Sequence, residues 1–192
     1  MTAVKHLTTT ELEAGLDAIG RSPTDGGVLE MIVRRPQVGD REILQEGQLD
    51  PAEGLVGDSW KIRSSKRTPD GTPHPDMQLN LMNSRVVALV SQDRSRWPLA
   101  GDQLYVDLDV SEGNLPPGTR LAIGSAVIEV TAEPHTGCSK FVERFGLDAK
   151  EFVNAPARTA LRLRGINARV VRPGVIRAGD TVTKCAWQDD RK

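Results

Sequence analysis

A chain of 192 residues, 38% hydrophobic and 27% charged, has the composition of one globular domain that is long enough to bury a core. Its formal net charge of −1 excludes a general attraction to nucleic acid or to a membrane surface. No stretch approaches the ~18 apolar residues of a membrane span, and the first residues lack the apolar core of a signal peptide. We therefore expect a cytoplasmic protein whose two cysteines, Cys138 and Cys185, are free thiols.

The N-terminal segment predicts a helix over residues 8–19. Thr10 and Glu13 have the spacing of a capping box, and Gly20 follows the last apolar residue of the helix. A turn-rich linker comes next, so we interpret residues 1–26 as a helix and linker added to the main domain.

The rest of the chain is dominated by short apolar runs and alternations that are typical of strands. They predict strands at residues 28–33, 42–44, 77–82, 104–110, 120–123, 126–130, 167–172, 175–177 and 181–183. Helical spacing predicts helices at residues 84–94, 139–145, 148–154 and 157–163. The polar, proline-containing residues 64–76 predict a long surface loop, of a length that is often functional. Short strands separated by Gly and Pro turns and edged by short helices predict a mainly β fold, a closed or partly closed barrel.

The strongest candidate for chemistry is Cys138. It follows Gly137, His135 lies three residues before it, and Lys140 and Arg144 come after it on a predicted helix. Cations and the N-terminal end of a helix favour the thiolate, which attacks electrophiles, carries a persulfide or binds a soft metal. The alternative is a buried, inert cysteine, and this is the reading that we favour for Cys185.

Positive charge is concentrated in the segment that follows Cys138 in the chain. Residues 138–172 hold eight Lys or Arg against three Asp or Glu, a net charge of +5. This segment suits an anionic ligand, although a solvated basic face has the same composition.

Other candidate sites are weaker. His135 and Cys138 supply two possible zinc ligands, but no paired cysteine or histidine motif accompanies them. His74, between two prolines, either approaches Cys138 or is a surface residue, and Asp58 needs no role beyond a turn. Phosphate-binding loops and the Gly-x-Ser-x-Gly elbow of serine hydrolases do not occur, which argues against nucleotide hydrolysis and serine hydrolysis.

Several segments, taken in order, resemble the MOSC family, named for the C-terminal domain of molybdenum-cofactor sulfurases. The matching segments include Gly54-Leu55-Val56-Gly57-Asp58, Gly101-Asp102-Gln103-Leu104, Thr136-Gly137-Cys138-Ser139-Lys140 and Gly174-Val175-Ile176-Arg177-Ala178-Gly179-Asp180. The resemblance covers residues 27–183 and leaves residues 184–192 as a tail. The family has Gly-Glu-Asn-Leu where this chain has Asp102 and Gln103, so both polar side chains differ in length.

The resemblance implies a MOSC-type β-barrel related to the barrel domain of pyruvate kinase, with Cys138 as the family's cysteine. It implies molybdenum cofactor (molybdopterin) as the ligand, with Cys138 binding the metal. The other residues that we predict at the cofactor are Lys140, Arg144, Arg164, Asn80, Thr136 and His74. His135 joins Cys138 as a predicted catalytic residue and handles protons.

Three functions remain open from the sequence. The first is an enzyme that reduces N-hydroxylated compounds, with a small-molecule substrate and an external electron-donor protein. The second is a sulfur carrier that holds a persulfide on Cys138 and passes it to a sulfur acceptor. The third is a binding module without chemistry, which would not need Cys138. Neither the substrate nor the oligomeric state follows from the sequence.

Overall fold

The computed structural model describes residues 5–186, and eleven strands and five α-helices lie within this part of the chain. The strands are β1 (Gly27–Arg34), β2 (Glu42–Leu44), β3 (Glu46–Asp50), β4 (Gly54–Leu55), β5 (Leu79–Asn83), β6 (Leu104–Asp107), β7 (Arg120–Ile123), β8 (Ala126–Val130), β9 (Ile166–Arg172), β10 (Gly174–Arg177) and β11 (Thr181–Lys184). The α-helices are α1 (Thr9–Glu13), α2 (Leu16–Gly20), α3 (Ser84–Ser91), α4 (Ser139–Phe145) and α5 (Leu147–Asn154). Short 3-10 helices lie at Ser59–Ile62, Pro75–Met77, Arg94–Ala100 and Pro156–Leu161.

Seven strands form a closed barrel in the order β1, β6, β5, β9, β8, β7, β11, and β11 pairs back onto β1. Strands β5 and β6 pair in parallel, and the other neighbours in the barrel pair antiparallel. Strand β2 extends the sheet from β1, and β3, β4 and β10 form a separate three-stranded sheet. The predicted fold, mainly β with a barrel and short helices, is confirmed.

Two apolar cores lie on opposite sides of the barrel wall. The first fills the barrel, with Leu29, Leu81 and Ile128 among its fully buried residues. The second lies outside, where Tyr105 of β6 and the other outward-facing residues of β1, β5 and β6 pack against the helices. Leu12 of α1 is fully buried in this outer core. Alternation along the strands divides the two cores, because successive side chains point to opposite faces.

Most predicted elements are present, with differences at their ends. Strand β6 stops at Asp107 rather than at residue 110. Helix α3 ends at Ser91 rather than at residue 94, because the next residue, Gln92, adopts a left-handed conformation with φ +61°. The helix predicted at residues 157–163 is a 3-10 helix. Strands β3 and β4 were not predicted, because they are short and lack a clear alternation. The predicted tail lies outside the described residues from position 187 onward.

The N-terminal helix differs most from the prediction. Two short helices replace it, and the capping box joins Thr8 and Glu11 rather than Thr10 and Glu13. The break falls near Gly15, where a Cβ atom would lie 2.5 Å from Cδ2 of Leu89, so a side chain at this position would have to displace Leu89 on α3. Among the described residues, none of the helices is long and apolar enough to cross a membrane.

Candidate functional site

The connection between β8 and β9, residues 131–165, carries Cys138 together with α4 and α5. Its first part, before α4, forms neither helix nor strand and is held by hydrogen bonds at every second residue. The Thr131 amide donates to the carbonyl of Asn167 (3.0 Å), and the Asn167 side chain donates to the carbonyl of Glu133 (3.0 Å). His135 pairs with Asp102. These contacts hold the segment that leads to Cys138 in one conformation.

Gly137, immediately before Cys138, is clamped by one side chain. Its amide donates to Oδ1 of Asn154 on α5 (2.8 Å), and Nδ2 of Asn154 donates to its carbonyl (3.0 Å). A Cβ at Gly137 would lie 3.3 Å from both Nδ2 of Asn154 and Cγ2 of Val153, so the absence of a side chain permits this close approach.

Cys138 itself is exposed and is a free thiol. It occupies the N-cap position of α4, and among the described residues its side chain makes no capping hydrogen bond. Helix α4 begins at Ser139 and ends before Gly146, as predicted, and it is anchored by the buried, mutually packed rings of Phe141 and Phe145. The thiol therefore stays open to solvent, while the buried rings hold the helix that follows it in place.

Three largely buried side chains, those of Asp102, His135 and Arg164, form a polar cluster next to this segment. Asp102 is fully buried and receives a hydrogen bond from Nε2 of His135 (2.7 Å). Nη1 of Arg164 donates to both carboxylate oxygens of Asp102 (2.9 and 2.7 Å), and Nη2 donates to the carbonyl of Ala100 (2.9 Å). We call Asp102, His135 and Arg164 the Asp102 trio.

The trio shifts the pKa values of its own members. Burial would raise the pKa of Asp102, but Arg164 and His135 outweigh burial and hold that pKa below its ordinary value. Burial lowers the pKa of His135, and the positive charge of Arg164 lowers it further against the opposing effect of Asp102. At neutral pH the trio therefore contains an anionic carboxylate and a neutral imidazole.

A second buried network surrounds Gln103. Its side-chain oxygen accepts from the amide of Asn80 (2.8 Å), and its nitrogen donates to the carbonyl of Gln78 (3.2 Å). Arg35 makes three hydrogen bonds to the two oxygens of Asp58's carboxylate from its amide, Nε and Nη2 (2.9 Å each), and it also donates to Oδ1 of Asn80 (3.0 Å). Asp102 and Gln103 are thus the buried hubs of two polar networks.

The guanidinium of Arg35 pairs with the carboxylate of Asp58, and Arg41 and Arg63 lie close enough for both charges to act on them. Arg144 acts on Arg41 in the same way, and we call these four residues the arginine cluster. Burial lowers the pKa of Arg41, and the charges of Arg144 and Arg35 lower it further. Burial and the charge of Arg35 lower the pKa of Arg63 in the same way. Because like charges are brought together here, a bound anion would relieve their repulsion. Sequence reasoning missed Arg41 and Arg63, which lie in separate connections and share no motif.

Five of the predicted site residues line two cavities, and Cys138 lines neither of them. His135, Thr136 and Arg164 line a cavity of about 410 Å³ together with Glu133 and Arg162. Nε of Arg164 is buried there without a hydrogen-bond partner among the described residues. His74 and Asn80 line a smaller cavity of about 160 Å³ with Arg35, Arg63 and Trp60.

The remaining predicted residues lie elsewhere. Lys140 is exposed on α4, and Arg144 on the same helix donates to the carbonyl of Leu99.

His74 is neither free on the surface nor in contact with Cys138. Its Nδ1 accepts from the amide of Asp76 (3.2 Å), and its Nε2 lies 3.7 Å from a carboxylate oxygen of Glu133.

Comparisons with known proteins agree with this architecture. A family model described as MOSC domain matches residues 70–183. The crystal structure of the YUAD protein from Bacillus subtilis is similar, with a TM-score of 0.62, 21% identity, and coverage of 84% of this chain and 97% of that one. YiiM from Escherichia coli has a TM-score of 0.52, 19% identity, and coverage of 85% and 72%. At these identities the structural likeness shows a shared fold. No curated protein matches the sequence significantly.

Proposed function

The chain belongs to the MOSC domain family, and on that premise we propose that it binds molybdenum cofactor through the thiolate of Cys138. One observation carries this proposal. Cys138 is exposed, while the segment before it is tied down at Thr131, Glu133, His135 and Gly137. A ligand that must reach a metal in a fixed geometry needs this combination of rigid support and an open thiol.

The donor set fits a metal that brings most of its own ligands. Among the described residues, no group of three or more His, Cys, Asp or Glu side chains is able to hold a metal ion. Cys138 would therefore contribute a single thiolate, and the cofactor would complete the coordination.

The arginine cluster fits the anionic phosphate of the same cofactor. Arg41 and Arg63 crowd against Arg35 around one carboxylate, so the site has an excess of positive charge. Guanidinium groups bind phosphate through paired hydrogen bonds, and Arg144 links the cluster to the helix that Cys138 caps. We assign the phosphate to this cluster, with Asn80 and His74 lining the adjoining cavity.

The reaction that we propose is reduction of an N-hydroxylated compound. Two electrons from an external donor protein and two protons convert the N–OH group to N–H and release water. Bound molybdenum would supply the two-electron redox chemistry. The chain's own contribution is to place a small substrate in the larger cavity, where Nδ1 of neutral His135 accepts a hydrogen bond from the N–OH group of the substrate.

Metal analysis tests the binding proposal. We expect purified protein from a host that makes the cofactor to carry stoichiometric molybdenum, and Cys138→Ala to lose it because the thiolate ligand is absent. Cys185→Ala is the matched control and should retain the metal, since Cys185 follows β11 and lies outside the connection that carries Cys138. Molybdenum-free wild-type protein from such a host would overturn the proposal.

The exposure of Cys138 also favours a second candidate, a sulfur carrier, because a persulfide must reach the acceptor on a partner. After incubation with a sulfur donor, intact mass spectrometry should show an added sulfur atom that cyanide removes. The adduct should be absent from Cys138→Ala and present in Cys185→Ala. A wild-type protein that gains no sulfur would eliminate this function.

A further inference from the structure

The contacts within the Asp102 trio decide which nitrogen of His135 is free to contact a molecule bound in the larger cavity. A carboxylate accepts hydrogen bonds and donates none, so the nitrogen 2.7 Å from Asp102 must carry a proton. Because the ring is neutral, its other nitrogen, Nδ1, carries a lone pair. No hydrogen bond from the described residues reaches Nδ1, and His135 lines the larger cavity.

Arg164 keeps the ring neutral by balancing charge. It contacts both oxygens of Asp102, so carboxylate and guanidinium cancel and a protonated ring would add an uncompensated charge. Only 7% of the Arg164 side chain and 12% of the His135 side chain are exposed, so water would screen that charge poorly. Without Arg164, Asp102 would instead attract the second proton to the ring.

The backbone at Gly165 restricts the ring from the other side. Gly165 has φ +112°, and a Cβ there would lie 2.1 Å from the carbonyl oxygen of Leu81 and 3.2 Å from Cδ2 of His135. The ring thus packs against bare backbone and has little room to turn. Orientation and protonation are fixed by separate contacts.

We propose that Asp102 and Arg164 are positioning residues that hold His135 as the neutral Nε2–H tautomer, with Nδ1 as the hydrogen-bond acceptor of the larger cavity. It follows that the group bound beside His135 is a hydrogen-bond donor, such as N–H or O–H. This inference names the atom that the proposed reduction uses, and in that respect it rests on the proposed function. The tautomer itself is a property of the protein alone.

Nitrogen NMR of the imidazoles tests the inference without any cofactor. In 15N-histidine-labelled protein, the His135 resonances, identified by their loss in His135→Gln, should show a protonated Nε2 and an unprotonated Nδ1. In Asp102→Asn, the amide is able to donate to the ring, so Nδ1 should shift toward its protonated position. Asp107→Asn is the matched control, because Asp107 pairs with Arg85 at the end of β6, the strand that follows Asp102, and its loss should leave the His135 signals unchanged.

A second variant covers the case in which Asp102→Asn does not fold. Arg164→Gln removes the balancing charge, so both ring nitrogens should become protonated at neutral pH. A wild-type protein with protonated Nδ1, or variants that leave both resonances unchanged, would overturn the inference. Because these spectra require no molybdenum, their failure is distinguishable from a failure of cofactor binding.

Discussion

At the scale of single residues, the Asp102 trio shows how burial and ion pairing together control protonation. Asp102 is fully buried, and a buried carboxylate is tolerated only when its partners satisfy it. His135 and Arg164 supply those hydrogen bonds, and removing either partner would leave an uncompensated buried group.

The lowered pKa of His135 predicts a loss of stability on mild acidification. The unfolded ring binds a proton near its ordinary pKa of about 6.5, whereas the folded ring resists protonation. The free energy of unfolding should be highest above pH 6.5 and fall as the pH drops through that value toward the lower folded pKa. Urea titrations between pH 8 and pH 5 should show this slope, and His135→Gln should flatten it.

His74→Gln serves as the control for this prediction and should retain the slope, because His135 is still present. An equal slope in wild-type protein and His135→Gln would mean that other groups carry the pH dependence.

At the scale of elements, the connection between β8 and β9 joins a barrel strand to the exposed thiol. The hydrogen bonds that hold this connection fall on Thr131, Glu133, His135 and Gly137. Helix α5 completes the arrangement, since Asn154 holds both backbone groups of Gly137. A helix outside the barrel thus positions the residue next to Cys138.

Asn154→Ala should loosen the segment that leads to Cys138. It removes two hydrogen bonds to Gly137, and we expect a loss of roughly 1–3 kcal/mol in the free energy of unfolding, with faster amide exchange at residues 134–138. Asn114→Ala is the matched control, because Asn114 also donates twice to backbone carbonyls but lies in another loop. It should lower stability and leave exchange at residues 134–138 unchanged. Unchanged exchange in Asn154→Ala would argue against the clamp.

At the scale of the whole molecule, the barrel wall separates two cores that must form together. Strand β1 closes the barrel by pairing with both β6 and β11, and its side chains contribute to both cores. Helices α4 and α5, which carry the site, pack in the outer core with α1. Stability of the N-terminal helices and order at the site are therefore linked through shared packing.

Leu12→Ala should destabilise the whole domain. Leu12 is fully buried in the outer core, and truncating a buried leucine to alanine typically costs about 2–5 kcal/mol. Leu161→Ala is the control, since Leu161 is 44% exposed and its truncation should change stability by no more than about 0.5 kcal/mol. Equal effects in urea titrations would show that α1 lies outside the cooperative unit.

The sequence by itself determined the local features of this protein. Short apolar runs located β1, β7 and β8, and the Gly124-Ser125 turn between the last two is an ordinary hairpin. The segment around Cys138 was identified from its local chemistry and from the order of the family motifs, and the bounds of α4 follow from its spacing and from Gly146. These features depend on residues that are close together in the chain, so they leave a readable pattern.

The tertiary structure alone decided how the site is built. Asp102 lies 33 residues from His135 and 62 from Arg164. The arginine cluster draws on three connections, with Arg35 and Arg41 between β1 and β2, Arg63 between β4 and β5, and Arg144 between β8 and β9. Contacts between distant residues have no period and no fixed spacing, so no local pattern indicates them. Burial then gives these contacts their effect, because charges that water would screen on the surface control protonation where the fold excludes water.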